Sequence, residues 1–180
     1  MAGTLEAAKG EVTRADPLAA AFAAHVEEHR GIAFKVAYLY CWQEDDRQDL
    51  VQDILAQAWR AFPRYDAARP FATWFYRIAL NVAISWVRGP GLKRQRTEPF
   101  DAERHDRAAP DDDTDDVRVR ALHGAIRSFE PLNRALLLLY LDGHSHREIG
   151  AVLGLSDTNV ATKIGRLKLR LKQALDGSHD

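Results

Sequence analysis

Residues 143–171 read GHSHREIGAVLGLSDTNVATKIGRLKLRL, and their spacing decides the fold of the C-terminal part of the chain. Ser145, His146, Arg147 and Glu148 have the spacing of a capping box: the serine hydroxyl accepts the third amide while the glutamate reaches back to the first. Ile149, Val152 and Leu153 then share the inner face of a short helix. Gly154 and Leu155 form a turn, with Gly154 suited to a positive φ, and small Gly150 lies where two helices approach closely. Ser156 caps a second helix beginning at Asp157, along which Val160, Ile164, Leu167 and Leu171 make a buried stripe. This is helix-turn-helix spacing. Ser156, Thr158, Asn159, Thr162, Lys163 and Arg166 are left outward, offering donors and cations to phosphates and base edges. The same pattern also describes a plain helical hairpin with a solvated basic face.

Working outward, the rest of the chain is helical in period. Leu18, Phe22, Val26, Ile32, Val36 and Leu39 recur at three- to four-residue spacing, apart from a polar turn at His29. Asp45 and Asp46 can cap a second helix carrying Val51, Ile54, Leu55, Ala58 and Phe62 on one face. Pro63 ends it, residues 64–70 form a loop, and a helical period resumes over Phe71 to Arg88. Leu122, Ala125, Ile126 and Phe129 mark a further helix, and Pro131 starts another that runs to about Leu141. No strand alternation is evident, so the expected class is all-α. Residues 89–116 contain Pro90, Pro99 and Pro110 and few bulky apolar residues, which predicts a flexible acidic linker. The expected division is a mobile tail over 1–16, a helical domain over 17–96, the linker over 97–116 and a helix-turn-helix domain over 117–177.

The 180 residues carry 25 Lys+Arg against 26 Asp+Glu, a near-neutral sum that by itself argues against a nucleic-acid binder. The sum is a cancellation. Glu44 to Asp53 holds five acids and one base, a local −4, and Asp101 to Asp116 holds eight acids and two bases, a local −6. Trp86 to Arg96 has four bases and no acid, and Gly143 to Leu175 six bases and two acids, +4 each. Two basic zones therefore alternate with two acidic ones. The single cysteine, Cys41, excludes an internal disulfide framework and a multi-cysteine zinc site, and fits a reducing cytoplasm. The first residues lack the apolar core of a signal peptide, and the longest apolar run, 135–141, is too short to cross a bilayer, so no membrane insertion is expected.

Thr73, Trp74, Phe75, Tyr76 and Arg77 place three aromatics in a row, and these cannot all face one core. With Tyr65, Arg69 and Arg88 nearby, they suit either core packing or the stacking of single-stranded bases. His25, Glu28 and His29 have the H-x-x-E-H spacing of inverted zinc peptidases, but that chemistry requires a third ligand and an open cleft, and the motif lies on an amphipathic helix expected to pack in the first domain. His144 and His146 flank a cap and read as solvent-exposed. No catalytic constellation stands out, so neither enzymatic activity nor a cofactor is expected.

Taken together, residues 46–53, Ala58-Trp59-Arg60, residues 71–84 and the helix-turn-helix resemble bacterial RNA polymerase sigma factors of the extracytoplasmic-function (ECF) group. The likeness covers about Leu18 to Leu175, excluding the linker. It implies two helical domains, core RNA polymerase and promoter DNA as partners, and promoter-directed initiation. By that resemblance Asp46, Asp49, Gln52 and Asp53 dock on the β′ clamp helices, with a further contact to the β flap. Arg64, Tyr65, Arg69, Phe71, Thr73, Trp74, Arg77, Asn81 and Arg88 capture the non-template strand of the −10 element, where a flipped base needs a pocket and stacking surfaces. The helix from Asp157 reads the −35 duplex, and an anti-sigma factor is a further partner the likeness allows. The chain departs from the usual pattern at Gln48, Leu80, Ser85, Asn159 and Ala161. The rival expectation is a dimeric helix-turn-helix regulator that binds operator DNA without core polymerase.

Overall fold

Asp16 opens the first helix: its carboxylate accepts the Leu18 amide at 3.0 Å, and Pro17 stands where a missing amide costs nothing. Asp16 thus belongs to the fold rather than to the tail expected over 1–16. The structure, a computed structural model, describes residues 16–89 and 115–176. Helix α1 (Pro17–Tyr40) runs through the polar stretch at His29 without a break, and His29 Nδ1 lies 2.9 Å from the His25 carbonyl one turn back. Helix α2 (Glu44–Ala61) has Glu44, Asp45 and Asp46 in its first turn, where carboxylates favour the free amides, although Gln43 holds the cap position. Pro63 tightens the exit from α2 into a 3₁₀ turn, Phe62–Arg64, and α3 spans Phe71–Arg88.

The second half holds α4 (Asp115–Arg127), α5 (Pro131–Leu141), α6 (His146–Leu153) and α7 (Asp157–Asp176). Apart from Asp115 and Asp116, which begin α4, the linker expected over 97–116 lies outside the described residues. The described residues are helices and turns, as an all-α chain requires.

Each half builds its core from the periodic apolar positions. Val36, Leu50, Ile54 and Phe75 are fully buried between α1, α2 and α3, and Leu136, Leu139, Ile149 and Val160 between α5, α6 and α7. The capping box at α6 is formed in both directions, with Ser145 Oγ 3.3 Å from the Glu148 amide and Glu148 Oε2 2.8 Å from the Ser145 amide. These bonds, Ser145 first, hold the Glu148 carboxyl below its usual range. Gly154 has φ +71° at the end of α6, as the turn demands. At Gly150 an added Cβ would come within 2.5 Å of the Leu155 carbonyl oxygen, so the close approach read from the sequence is real. Gly150→Ala is expected to destabilise the fold by about 1–3 kcal/mol through overpacking, measured as a lower midpoint in thermal unfolding.

The buried residues of both halves form one contiguous cluster, so the two domains are packed together. Polar contacts stitch the seam. Lys35 Nζ donates to both Asp142 oxygens, at 2.7 and 2.8 Å, and the Tyr76 hydroxyl donates to Asp142 Oδ2. The Tyr40 hydroxyl donates to the Pro131 carbonyl at 2.5 Å, and Arg127 Nη2 to the Tyr38 carbonyl. The Arg127 guanidinium also lies over the Tyr38 ring at 4.4 Å and near Trp42 at 5.2 Å. Burial pushes Tyr40 and Tyr76 above the usual phenol range, so both stay protonated donors. Cys41, buried at this seam, is pushed up to about 12 by burial and by nearby Asp46, which leaves it an inert thiol.

His123 packs edge-on to Tyr38 at 5.2 Å, and burial, then Arg127, lower its pKa from 6.5. The unfolded chain therefore binds this proton more readily than the folded one, so His123 removes stability as pH falls through 6.5 and below. Urea unfolding of His123→Gln across pH 5–8 is expected to show a weaker loss on the acid side than the parent chain.

Candidate nucleic-acid interface

Helix α7 owes its position to the turn before it. Ser156 Oγ accepts the Asn159 amide at 3.3 Å, and Val160, Ile164 and Leu167 seat one face of the helix in the core. Thr158, Asn159, Thr162 and Arg166 stand exposed on the other face, with Lys163 half-buried beside them. The Thr162 hydroxyl donates back to the Thr158 carbonyl at 2.9 Å, so it faces a ligand as an acceptor. Four of the six bases of this zone divide by use. Lys168 lies over Tyr140 at 5.4 Å and Arg170 over Phe129 at 4.9 Å, both stacked on their own domain. Lys163 and Arg166 remain on the outward side in the N-terminal half of α7, the half that enters a groove in this motif.

On α3, Arg77, Asn81, Ser85 and Arg88 are all exposed, and their spacings of four, four and three residues align them along one stripe. Half-buried Thr73 begins it. The aromatic side of the expected site is different. Phe71, read from the sequence as a DNA contact, is 5% exposed and sits at the centre of a ring cluster. His25 stacks flat on it at 4.7 Å, and Tyr65, Trp74 and Phe75 lie 5.5, 5.1 and 5.5 Å away. Phe71 is therefore core, because the first residue of α3 points back beneath the loop from Pro63 to Pro70. Tyr65 and Trp74 are half-buried, with ring centroids 5.0 Å apart. The Tyr65 hydroxyl donates to the Arg69 carbonyl at 2.6 Å and closes the loop that presents exposed Arg64 and Arg69. His25 and His29 both spend their rings on Phe71, and the described residues hold no group of three or more His, Cys, Asp or Glu side chains able to bind a metal ion.

The acidic helix also sorts itself. Asp49, Gln52 and Asp53 are exposed together on α2, at the one-turn spacing of a docking face. Asp46, expected on the same face, is instead 5% exposed, packed near Cys41 at the start of α2, and does not share that surface. Between α2 and α3 lies an open cavity of about 500 Å³ lined by Asp53, Gln57, Ile78, Asn81, Val82, Ser85 and Trp86. It brings Asp53 and Asn81, expected to serve different partners, into one groove. Asn81 lies ten residues along α3 from Phe71, a rise of roughly 15 Å. Gln57 and Ser85 were missed in the sequence, although each stands one helical turn beyond a chosen residue. Also missed was the seam, with Lys35, Tyr38, Tyr76, Arg127 and Asp142. His144, read as exposed, is half-buried and edge-on to Tyr76 at 5.3 Å.

A helix-turn-helix half packed on a three-helix half with an acidic and an aromatic–polar helix defines a DNA-binding helical protein of two units. Comparison with known proteins specifies the class. Residues 25–91 match Sigma-70 region 2 and residues 120–171 match Sigma-70 region 4. The chain is similar to the ECF RNA polymerase sigma factor SigE of Mycolicibacterium smegmatis, 30% identical over 154 residues, 83% of this chain and 60% of that one. It is also similar to the RNA polymerase sigma factor CnrH of Cupriavidus metallidurans, 30% identical over 173 residues, 89% of each. The structure of CnrH in complex with the cytosolic domain of CnrY superimposes with a TM-score of 0.63 at 28% identity over 88% of this chain and 89% of that one. The sigma factor RpoE of Bartonella quintana, in complex with the anti-sigma factor NepR, shares the fold with a TM-score of 0.70 at 19% identity, over 87% of this chain and 97% of that one. The chain belongs to the RNA polymerase sigma factors of the ECF type. It binds core RNA polymerase and directs promoter-specific initiation, and none of its described helices is long and apolar enough to cross a membrane.

Proposed function

We propose a residue-level division of that work between the two halves, with boundaries at 17–96 and 117–177. The exposed stripe Thr73, Arg77, Asn81 and Arg88, with the loop residues Arg64, Tyr65 and Arg69 and the edge of Trp74, captures the −10 non-template strand. Ser156, Thr158, Asn159, Thr162, Lys163 and Arg166 read the −35 duplex. Asp49, Gln52 and Asp53 dock on the β′ clamp helices, for which carboxylates at helical spacing set orientation and encounter rate with a basic surface. The second half contacts the β flap. The observation that carries this reading is the single aligned stripe on α3 in the same chain as an outward-facing α7.

In this reading the chain acts in the cytoplasm, performs no catalysis of its own and needs no cofactor. An anti-sigma factor is a fitting regulator, since both CnrH and RpoE are known as complexes, with CnrY and NepR respectively.

The test separates the two DNA surfaces. Lys163→Ala and Arg166→Ala are each expected to reduce the salt slope of −35 duplex binding by about 0.9, read by fluorescence anisotropy across a salt series. Asn81→Ala is expected to leave that binding unchanged and to lower strand opening, read by permanganate reactivity of unpaired thymines. Loss of duplex binding in Asn81→Ala, or an unchanged slope in both cation variants, would break the assignment.

A further inference from the structure

The cavity between α2 and α3 has no part in the division of work above, although its walls carry residues assigned to two different partners. Its volume of about 500 Å³ is that of a small-ligand site. Each helix faces it with a stripe at one-turn spacing: Asp53 and Gln57 from α2, and Ile78, Asn81 and Ser85 from α3. Trp86, 8% exposed, and half-buried Ile78 supply apolar walls for a flat ring.

The polar groups on these walls are not interchangeable. Asp53, the single acid among the lining residues, can only accept when ionised. Arg60 Nη1 donates to Gln57 Oε1 at 3.5 Å, which engages that oxygen and leaves the amide N–H groups as donors at the groove. Asn81 and Ser85, both exposed at its rim, can accept or donate. The groove therefore offers a two-oxygen acceptor with a donor one helical turn away. Among the four DNA bases, guanine has the matching edge. Its N1–H and N2–H₂ lie side by side for the two oxygens of one carboxylate, and O6 beside them accepts from an amide. Adenine and cytosine would set a ring acceptor against the carboxylate, and thymine has one N–H between two carbonyls.

The groove also opens where a strand would pass. Asn81 and Ser85 belong both to its rim and to the exposed α3 stripe. Arg77 and Arg88 stand eleven residues apart on that stripe, about 16 Å along the helix, so phosphates that meet both cations carry a nucleotide across the mouth. An unpaired base there turns inward at the cost of unstacking alone.

We propose that the α2–α3 groove is a guanine-binding site, in which Asp53 accepts N1–H and N2–H₂ and the amide of Gln57 or Asn81 donates to O6. The guanine belongs either to a DNA strand lying on the α3 stripe or to a free guanine nucleotide. The strand source rests on the −10 reading given above. Asp49 and Gln52, which do not line the groove, keep the docking face on polymerase.

The test uses the full chain and short labelled oligothymidines in which one central thymine is kept or replaced by guanine, adenine or cytosine, read by fluorescence anisotropy. The guanine oligomer is expected to bind at least about fivefold tighter than the other three, the low end for a bidentate base contact. Asp53→Asn keeps the size of the side chain but pairs one acceptor with one donor. It is expected to abolish the guanine preference and pass it to adenine and cytosine, whose edges pair a donor with an acceptor. A residue acting only as surface charge would produce no such exchange. Guanosine monophosphate separates the sources. Displacement of the guanine oligomer by it, and not by adenosine monophosphate, supports a free-nucleotide site, whereas an intact oligomer preference without displacement supports a base read within a strand. Equal affinity for all four oligomers, still weakened by Arg77→Ala, would overturn the groove and leave the stripe standing. Absence of binding to any oligomer would count against the stripe as well. In that case, failure of guanosine monophosphate to quench tryptophan fluorescence more than its adenosine counterpart would overturn the guanine site too.

Discussion

Phe71→Ala is expected to cost about 3–5 kcal/mol of stability, a large share of the 5–15 kcal/mol typical of a domain. The ring is 5% exposed and meets His25, His29, Tyr65, Trp74 and Phe75 at centroid separations from 4.7 to 5.5 Å. Deleting it leaves a void that these rings fill only in part, and releases the loop from Pro63 to Pro70 from its seat. Urea unfolding followed by tryptophan fluorescence checks it, since Trp74 is part of the cluster. Trp74→Ala separates stacking from packing: an opening defect without a matching fall in thermal midpoint marks a ring used on bases. If Phe71→Ala were as stable as the parent but opened promoters poorly, the ring would be a DNA contact after all.

Reversing two charges on the acidic face has the second large effect. Asp49→Lys with Asp53→Lys takes the net charge of residues 44–53 from −4 to 0, with both positions exposed on α2. Surface charges of this kind act mainly on encounter, so association with core polymerase is expected to slow by about 10–100-fold at low salt. The difference should shrink as ionic strength rises and the Debye length contracts. Stopped-flow mixing with labelled core polymerase at several salt concentrations measures it. A salt-independent defect would point to misfolding, and an unchanged rate would remove this face from the docking surface. Asp46, being buried, belongs to a different experiment: its removal should show in stability first.

The elements that were legible in the sequence are those whose signals are local. The capping box at Ser145, the turn glycine at Gly154, the close approach at Gly150 and the proline start of α5 each depend on residues within one or two turns. The structure has all four. The helical period over Phe71 to Arg88 was local in the same way, although the alignment of Arg77, Asn81 and Arg88 along one exposed stripe was not read from it. Burial was harder to read. Asp46 in a first turn and Phe71 at a helix start look exposed by residue type and position, and only the tertiary packing hides them.

The seam was not legible at all. Its contacts join Tyr76 to Asp142, Tyr38 to Arg127 and Lys35 to Asp142, pairs 66, 89 and 107 residues apart. No spacing rule relates such positions, and a linker rich in acid and proline argued for separate domains. Yet an arginine followed by an apolar helix, as at Arg127, carried no sign that it would be enclosed by Tyr38 and Trp42. The near-neutral net charge was equally uninformative until divided along the chain.

As a sigma factor, this chain confers promoter choice on core RNA polymerase. The most direct measurement is initiation in a purified system: core polymerase, the chain, and a template carrying a start site mapped after its overproduction. Transcripts are expected from that single start, dependent on the chain and abolished by a disrupted −10 element. Tight binding of the chain alone to duplex operators, with no effect on the polymerase, would contradict it.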